Sequence, residues 1–157
     1  MNTNRLNGAL SDTPSVLIKQ AIEDLEKCEN SPEYTIDMGV WHEPRDNEVC
    51  AVCLAGATIA MQFDISTDIT IEPGMYKGLE AKMEALDEMR CGNVGTSLET
   101  LGINETTIDS ALNDLSGEGF DTDKEYGYVD ICGYYFEPER FKSNMLKIAK
   151  VLHNNGI

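Results

Sequence analysis

The 157-residue chain has 28 acidic and 12 basic side chains, a formal net charge of −16 and a sequence pI of about 4.3. DNA, RNA and anionic lipid are bound mainly by Lys and Arg that neutralise phosphate, so this charge argues against direct nucleic-acid binding and against a membrane partner. Hydrophobic residues make up 41% of the chain, which favours one globular domain over 1–157 with a polar, flexible segment at 1–12.

The cysteines and the longest apolar stretch indicate where the protein is found. The chain has five cysteines, an odd number, and they are spread through apolar segments. Its first residues contain no apolar run like that of a secretory signal. Both features predict a protein of the reducing cytoplasm. The apolar stretch 49–61 would span about 20 Å as a helix, less than the roughly 30 Å hydrocarbon core of a bilayer. We therefore expect a cytoplasmic protein without a membrane span.

The first half of the chain predicts two helices around a strand. Thr13 and Pro14 are typical of an N-cap and first helical position, and the helix should end near 29–32. Apolar residues alternate with polar ones over 34–42, which predicts a half-buried strand. A central helix at about 47–63, capped by Asp46 or Asn47, should be buried on almost every side, and its small residues, Gly56 among them, should let neighbouring backbones approach.

The second half predicts further amphipathic helices and a small antiparallel sheet, so the fold class is a mostly helical α+β. An extended segment is expected at 63–74 and helices at 75–89 and at 108–115. Thr96 and Glu99 form a capping-box pattern for a short helix. The aromatic-rich stretch 126–136 predicts a strand or hairpin, and a last helix should begin at Pro138.

Cys50 and Cys53 form a CxxC pair, which is half of a structural zinc site. The second pair of ligands is missing, and the nearest other candidates are scattered along the chain. In an apolar helix, buried cysteines at this spacing behave as small hydrophobic residues, and the helix-terminal, electropositive setting that activates a thiol is absent. Core packing is therefore the preferred interpretation, with a metal or redox pair as the alternative.

The segment 114–125 matches the twelve-residue calcium loop of an EF-hand. Its ligand positions would be filled by Asp114, Ser116, Glu118, Thr122 and Glu125. Two features oppose the match, because Asp121 occupies a position that is normally apolar and the following sequence resembles a strand instead of a helix. Calcium binding is one alternative function, and a solvated acidic loop is the other interpretation of the same residues.

The segment between Glu105 and Asp130 is the most acidic part of the chain. It contains eight acids and Lys124 as its one base, a local charge of −7: Glu105, Asp109, Asp114, Glu118, Asp121, Asp123, Glu125 and Asp130. We call these eight residues the acidic surface. Carboxylates at suitable spacing can imitate DNA phosphates and occupy a basic groove on another protein, although a solvated face is the common alternative.

Catalytic patterns are few. No P-loop, GxGxxG, GxSxG or HExxH motif is present, and no cofactor is predicted. His42 lies beside Trp41 and Glu43 and could act as an acid or base, whereas a histidine that ends a strand more often has a structural role. A small enzyme around His42 is therefore a further alternative.

The sequence from Asp37 to Met61, DMGVWHEPRDNEVCAVCLAGATIAM, carries a resemblance to a known group. It resembles uncharacterised small proteins of tailed bacteriophages, in which a tryptophan-containing strand precedes a C-x-V-C-L-A-G-A helix. The resemblance covers about residues 34–63. It implies an accessory protein in the cytoplasm of an infected bacterium and carries over no catalytic residues.

Together these observations predict a phage accessory protein that binds a basic surface on a host protein. Its target would be a nucleic-acid-handling or defence complex, such as a restriction or CRISPR system, which the acidic surface would block as a DNA mimic. No pattern in the sequence predicts an oligomeric state.

Overall fold

Helices dominate the computed structural model, which describes residues 10–75 and 77–157. The described residues contain six α-helices, namely α1 (Pro14–Glu29), α2 (Leu54–Phe63), α3 (Lys77–Arg90), α4 (Val94–Thr100), α5 (Glu105–Gly117) and α6 (Pro138–Asn154). They also contain five short strands, namely β1 (Tyr34–Ile36), β2 (His42–Pro44), β3 (Cys50–Val52), β4 (Thr122–Asp123) and β5 (Tyr128–Val129). The predicted mostly helical α+β class is confirmed.

The first and last helices begin where their prolines predict. Pro14 and Pro138 each occupy the first helical turn, where the missing N–H has no helical partner to lose. The apolar stripes of α1 and α6 face each other and α1 also packs on α2, so that Leu17, Ile18 and Ile148 are almost fully buried. These three helices form the centre of the core.

The central helix begins later than predicted. Residues Cys50–Val52 form strand β3, all three fully buried, and α2 starts at Leu54 with Cys53 as its N-cap instead of Asp46 or Asn47. A continuous apolar run can belong to a buried strand or a buried helix, and periodicity does not separate them. The prediction of a helix from about residue 47 is therefore wrong in its first two turns.

The three-stranded sheet is mixed, not antiparallel as predicted. Its order is β1-β3-β2, in which β3 runs parallel to β1 and antiparallel to β2. The thirteen residues between β1 and β3 include β2, which is long enough a connection for a parallel pair. The predicted strand at 34–42 is accordingly split into β1 and the start of β2. A second sheet, β4-β5, is an antiparallel pair.

Three other local predictions differ from the structure. Within 63–74, Phe63 ends α2, Ile71 forms a single bridge to His42, and the remaining residues form turns and irregular backbone. Thr96 lies inside α4, whose N-cap is Asn93, so the capping box at Thr96 and Glu99 is not formed. Within 126–136 only β5 is strand, because Gly127 takes a left-handed φ of 68° and the residues after Asp130 form turns.

Close backbone contact explains the small residues of α2. Gly56 lies against the carbonyl of Trp41, and a Cβ placed on Gly56 would lie 1.4 Å from the Trp41 oxygen. The Trp41 ring in turn donates from Nε1 to Asp87 Oδ2 on α3 at 2.6 Å. This contact joins the loop before β2, α2 and α3, as the sequence predicted for Gly56.

Part of the predicted flexible N-terminus falls within the described residues. Lys82 on α3 donates to the Leu10 carbonyl at 2.8 Å and pairs with Asp12 at 2.7 Å, and the Leu10 side chain is buried. Residues 10–12 are therefore tied to α3, and the prediction for 1–9 lies outside the described residues. In the described part of the chain, no helix is both long enough and apolar enough to cross a membrane.

Candidate functional site

The β4-β5 hairpin carries half of the acidic surface and is held against the junction of α3 and α4. The Gly95 N–H donates to the Gly127 carbonyl at 2.9 Å, and the Val129 N–H donates to the Gly92 carbonyl at 2.8 Å. A Cβ on Gly127 would lie 2.7 Å from the Gly95 Cα, so glycine is needed for this approach. The position of the hairpin is thus determined by backbone contacts.

All eight residues of the acidic surface are exposed. Glu105, Asp109 and Asp114 lie on α5, and Glu118 is its C-cap. The other four lie on the hairpin and its ends, namely Asp121, Asp123, Glu125 and Asp130. The Asp130 N–H donates to the Asp121 carbonyl at 2.9 Å, and the Glu125 N–H donates to Asp123 Oδ1 at 3.1 Å, so these four are close neighbours.

The α5 acids are separated from one another. Glu105 and Asp114 lie nine residues apart, roughly 13 Å along the helix axis. Asp114 also points toward the end of α6, where Asn155 Nδ2 donates to its Oδ2 at 2.9 Å. The structure therefore brings the hairpin acids together and does not place all eight on one face.

Like several other exposed acids among the described residues, the acids of this surface form no salt bridge. Among the described residues, none of the eight forms a salt bridge, whereas Asp37, Glu29 and Asp12 pair with Arg45, Lys142 and Lys82 at 2.8, 2.6 and 2.7 Å. Two bases of α6, Arg140 and Lys147, border a cavity of about 390 Å³ beside Glu118, Asp121 and Asp130 without pairing with them. Lys124 is the one base in the sequence 121–130, so the hairpin segment has a formal charge of −3.

The predicted calcium loop is not formed. Asp114 and Ser116 belong to the last turn of α5, which continues to Gly117, and strand β4 occupies the position of Thr122. An EF-hand needs a loop that starts at its first ligand and leads into a helix. In the described ranges, no group of three or more His, Cys, Asp or Glu side chains is arranged to hold a metal ion. The match in sequence reflects the abundance of acids and glycines.

A groove lined by aromatic side chains lies next to the hairpin and was not predicted from the sequence. It has a volume of about 400 Å³, and we name it the aromatic groove. Its apolar lining consists of Met38, Tyr128, Ile131, Tyr134, Tyr135, Phe136 and Phe141. Phe136 is 80% exposed and Tyr135 67% exposed, and Asp130 of the acidic surface also lines the groove.

Hydrogen bonds between distant parts of the chain hold the groove in shape. The Met38 N–H donates to the Tyr135 hydroxyl at 2.7 Å, and the Tyr134 hydroxyl donates to Glu29 at 2.6 Å. The Tyr134 ring meets the buried Phe141 ring edge to face, with centroids 5.7 Å apart. Burial, reinforced by the bond to Glu29, raises the pKa of Tyr134, so the hydroxyl remains a donor.

The CxxC pair lies at the start of α2, where the structure corrects part of the prediction. Cys53 does occupy a helix N-terminus, and its sulfur accepts from the Gly56 N–H at 3.4 Å. Burial and then the nearby Asp87 raise the pKa of Cys53 to about 12, so the thiol stays protonated. Cys50 sits on β3 and not on the same helix face. Both cysteines are fully buried and fill the core, which agrees with the packing interpretation.

His42 is the centre of the predicted enzyme alternative and is fully buried. Its Nδ1 lies 2.6 Å from the Ile69 carbonyl and donates to it, which leaves Nε2 as an acceptor 3.6 Å from the Cys50 sulfur. Burial lowers the pKa of His42 and raises that of Cys50, so both are neutral. The imidazole is enclosed in this arrangement, and the bonds of His42 join β2, β3 and the loop at Ile69.

The sequence did not predict that the aromatic residues of 126–136 are exposed, because aromatic and branched residues together favour a strand. The available signal was Gly127 and Gly133, which interrupt the run and favour turns.

Comparison of the chain with protein-family models, with curated proteins and with solved structures finds no match.

Proposed function

We propose that this chain is a phage accessory protein that acts in the bacterial cytoplasm by binding a basic surface on a host protein. The host target is a nucleic-acid-handling or defence complex, which the bound chain blocks. The observation that carries the proposal is the group of four exposed hairpin acids, Asp121, Asp123, Glu125 and Asp130, none of which forms a salt bridge among the described residues.

Unpaired exposed charge is available to a partner, whereas paired charge is largely neutralised before association. Carboxylates at the hairpin would steer a positively charged surface toward the chain, and would replace the phosphates that such a surface binds. The hairpin is anchored through Gly92, Gly95 and Gly127, which supports a rigid presentation of its acids. A rigid surface loses little conformational entropy on binding.

The segment with the phage resemblance supports the same proposal as a scaffold. Cys50, Cys53 and His42 are buried and neutral, so the recognisable segment offers no exposed reactive group. The resemblance itself motivates the choice of a host protein as the partner. A binding function on the acidic surface is compatible with both observations.

The proposal is tested with two charge-matched variants. The hairpin variant carries Asp121→Asn, Asp123→Asn, Glu125→Gln and Asp130→Asn, and the control variant carries Glu23→Gln, Glu33→Gln, Glu84→Gln and Glu99→Gln. The control positions are also exposed acids, which form no salt bridge within the described part of the chain, and both variants change the net charge equally. Asparagine at Asp123 and Asp130 keeps the oxygen that accepts the Glu125 and Cys132 N–H groups.

Immobilised wild-type chain and both variants are incubated with bacterial lysate at low and at high salt. A partner bound through the acidic surface should be captured at low salt by wild type and control, and released as salt rises. The hairpin variant should bind it at least about fourfold more weakly, because four exposed ion pairs contribute about 0.2–1 kcal/mol each. Equal capture by both variants, or no partner at low salt, would contradict the proposal.

The blocking step needs a separate measurement on the captured protein. If the partner handles nucleic acid, adding the wild-type chain should release a labelled DNA or RNA from it, and the hairpin variant should do so poorly. A partner that keeps its nucleic acid when saturated with the chain would refute inhibition by mimicry, although binding itself would stand.

A further inference from the structure

We infer that the aromatic groove anchors the basic partner by receiving one of its arginine side chains. This inference rests on the proposed function, because it concerns the residues that the same partner would contact. The inference adds the type of partner side chain, an arginine, and the place where it binds, the aromatic groove. The acidic surface alone defines neither.

The first argument is the exposure of large aromatic side chains at one place. Phe136 and Tyr135 are 80% and 67% exposed, and Tyr126 and Tyr128 on the adjoining hairpin are 72% and 41% exposed. Single exposed apolar residues are common, but clusters of them mark interaction surfaces. Aromatic residues that fill or form central pockets supply much of the binding energy at protein interfaces.

The second argument is the charge around these rings. Asp130 lines both the aromatic groove and the neighbouring cavity of the acidic surface, so the two features are continuous. Glu137 directly follows Phe136, but Arg140 3.3 Å away offsets its charge. Arg90 lines the groove, and Asp87 Oδ1, 3.4 Å from its Nε, offsets its charge in the same way. Asp130 is therefore the charged residue of the groove lining that no salt bridge offsets among the described residues, and its carboxylate complements a cationic side chain.

Arginine fits this setting better than lysine. Its planar guanidinium stacks on aromatic faces and can form two parallel hydrogen bonds to a carboxylate such as Asp130. Lysine presents a compact, strongly hydrated charge that gains less from an exposed ring. The volume of about 400 Å³ lies within the range of side-chain and small-ligand pockets.

The groove is also organised before binding. The bonds from Met38 N–H to the Tyr135 hydroxyl and from the Tyr134 hydroxyl to Glu29 connect the groove to the turn after β1 and to the end of α1. On the other side, Asn144 Nδ2 on α6 donates to the Ile131 carbonyl at 2.9 Å. The side chains that line the groove therefore need little rearrangement, which reduces the entropy lost on binding.

The test uses the full chain and two labelled probe peptides, one of alternating arginine and glycine and one of alternating lysine and glycine with equal length and charge. Binding is measured by fluorescence anisotropy at low salt. Wild type should bind the arginine peptide about 2- to 5-fold more tightly than the lysine peptide, as expected for one cation–π contact at an exposed site.

Three variants locate the source of this preference. Phe136→Ala and Phe136→Leu should both abolish it, because leucine keeps apolar area but lacks a ring, whereas Leu146→Ala on the exposed side of α6 should leave it unchanged. Phe136 is 80% exposed and Leu146 40% exposed, so none of these changes opens the core. Circular dichroism confirms that each variant is folded.

Each outcome distinguishes the two proposals. A preference that disappears with Phe136→Ala and Phe136→Leu supports the arginine anchor. Equal binding of both peptides by wild type, or a preference that survives loss of the ring, overturns the anchor and leaves the acidic surface in place. Failure of both peptides to bind at low salt contradicts the proposed function and the anchor together.

Discussion

Substitution of Gly56 by alanine is the sharpest test of how the chain packs. The added Cβ would lie 1.4 Å from the Trp41 carbonyl oxygen and 2.5 Å from its carbon, far inside van der Waals contact. Both groups are backbone, so no side chain can rotate away. Either α2 or the loop at Trp41 must move by about 2 Å, the difference from an ordinary contact of roughly 3.5 Å.

The expected cost follows from what such a shift disrupts. Overpacking in a core costs typically about 1–3 kcal/mol, and a backbone-to-backbone clash belongs at the upper end of this range or above it. Alanine improves helix propensity by about 1 kcal/mol, which offsets part of the loss. We therefore expect a net loss of about 2–3 kcal/mol, equivalent to a melting temperature lower by roughly 4–12 °C for a domain of this size.

Urea unfolding measures the effect, followed by circular dichroism and by the fluorescence of Trp41, the one tryptophan. Gly117→Ala is the matched control, because Gly117 ends α5 and a Cβ there meets nothing within 4 Å. The control should leave the urea midpoint unchanged or raise it slightly. If Gly56→Ala unfolds at the same urea concentration as the control, the close contact between α2 and Trp41 is refuted.

Three further predictions concern stability and reactivity. Gly127→Ala should lower the free energy of unfolding by about 2 kcal/mol, because a φ of 68° is strained for alanine and the Gly95 backbone is too close to the added Cβ. An unchanged urea midpoint would contradict the contact between the hairpin and Gly95. Burial raises the pKa of Asp24, so its carboxyl group holds a proton more tightly in the folded chain than in the unfolded chain. At neutral pH the ionised carboxylate of Asp24 therefore lowers the stability of the folded chain. Asp24→Asn should therefore raise the urea midpoint at pH 7, and the gain should shrink as the pH falls through the folded-state pKa; a gain independent of pH would exclude this cause. In the native protein a thiol reagent should modify exposed Cys91 first and half-exposed Cys132 next. Cys28 and Cys53 should react only after denaturation, because burial raises the pKa of each thiol to about 12. Fast reaction of Cys28 or Cys53 in the native protein would contradict their burial.

Local signals with a single physical interpretation were sufficient to predict several features. Pro14 and Pro138 mark the starts of α1 and α6, because proline is tolerated in a first helical turn and nowhere later in a helix. The small side chain of Gly56 correctly indicated a close backbone approach, although not its partner. The exposure of the eight acids also agrees with expectation, since an unpaired carboxylate is costly to bury.

Features that depend on distant partners needed the tertiary structure. The run from Cys50 to Ala60 is apolar except for Thr58, and its division into β3 and α2 is decided by pairing with β1 and β2. The predicted calcium loop is not formed because α5 continues to Gly117, after Leu115 has packed into the core. The interpretation of His42 likewise depended on Ile69 and Cys50, which bury and bond it.

The sequence by itself determined the strong negative charge, the helical class and the starts of α1 and α6, since these depend on composition and on neighbours within one or two turns. Tertiary structure decided which acids lie together, that Tyr135 and Phe136 remain exposed, and that a groove forms beside Asp130. The groove requires contacts such as Met38 with Tyr135, 97 residues apart, and Glu29 with Tyr134, 105 residues apart. Such contacts leave no periodic trace in the chain, so the candidate binding site became visible only in the folded protein.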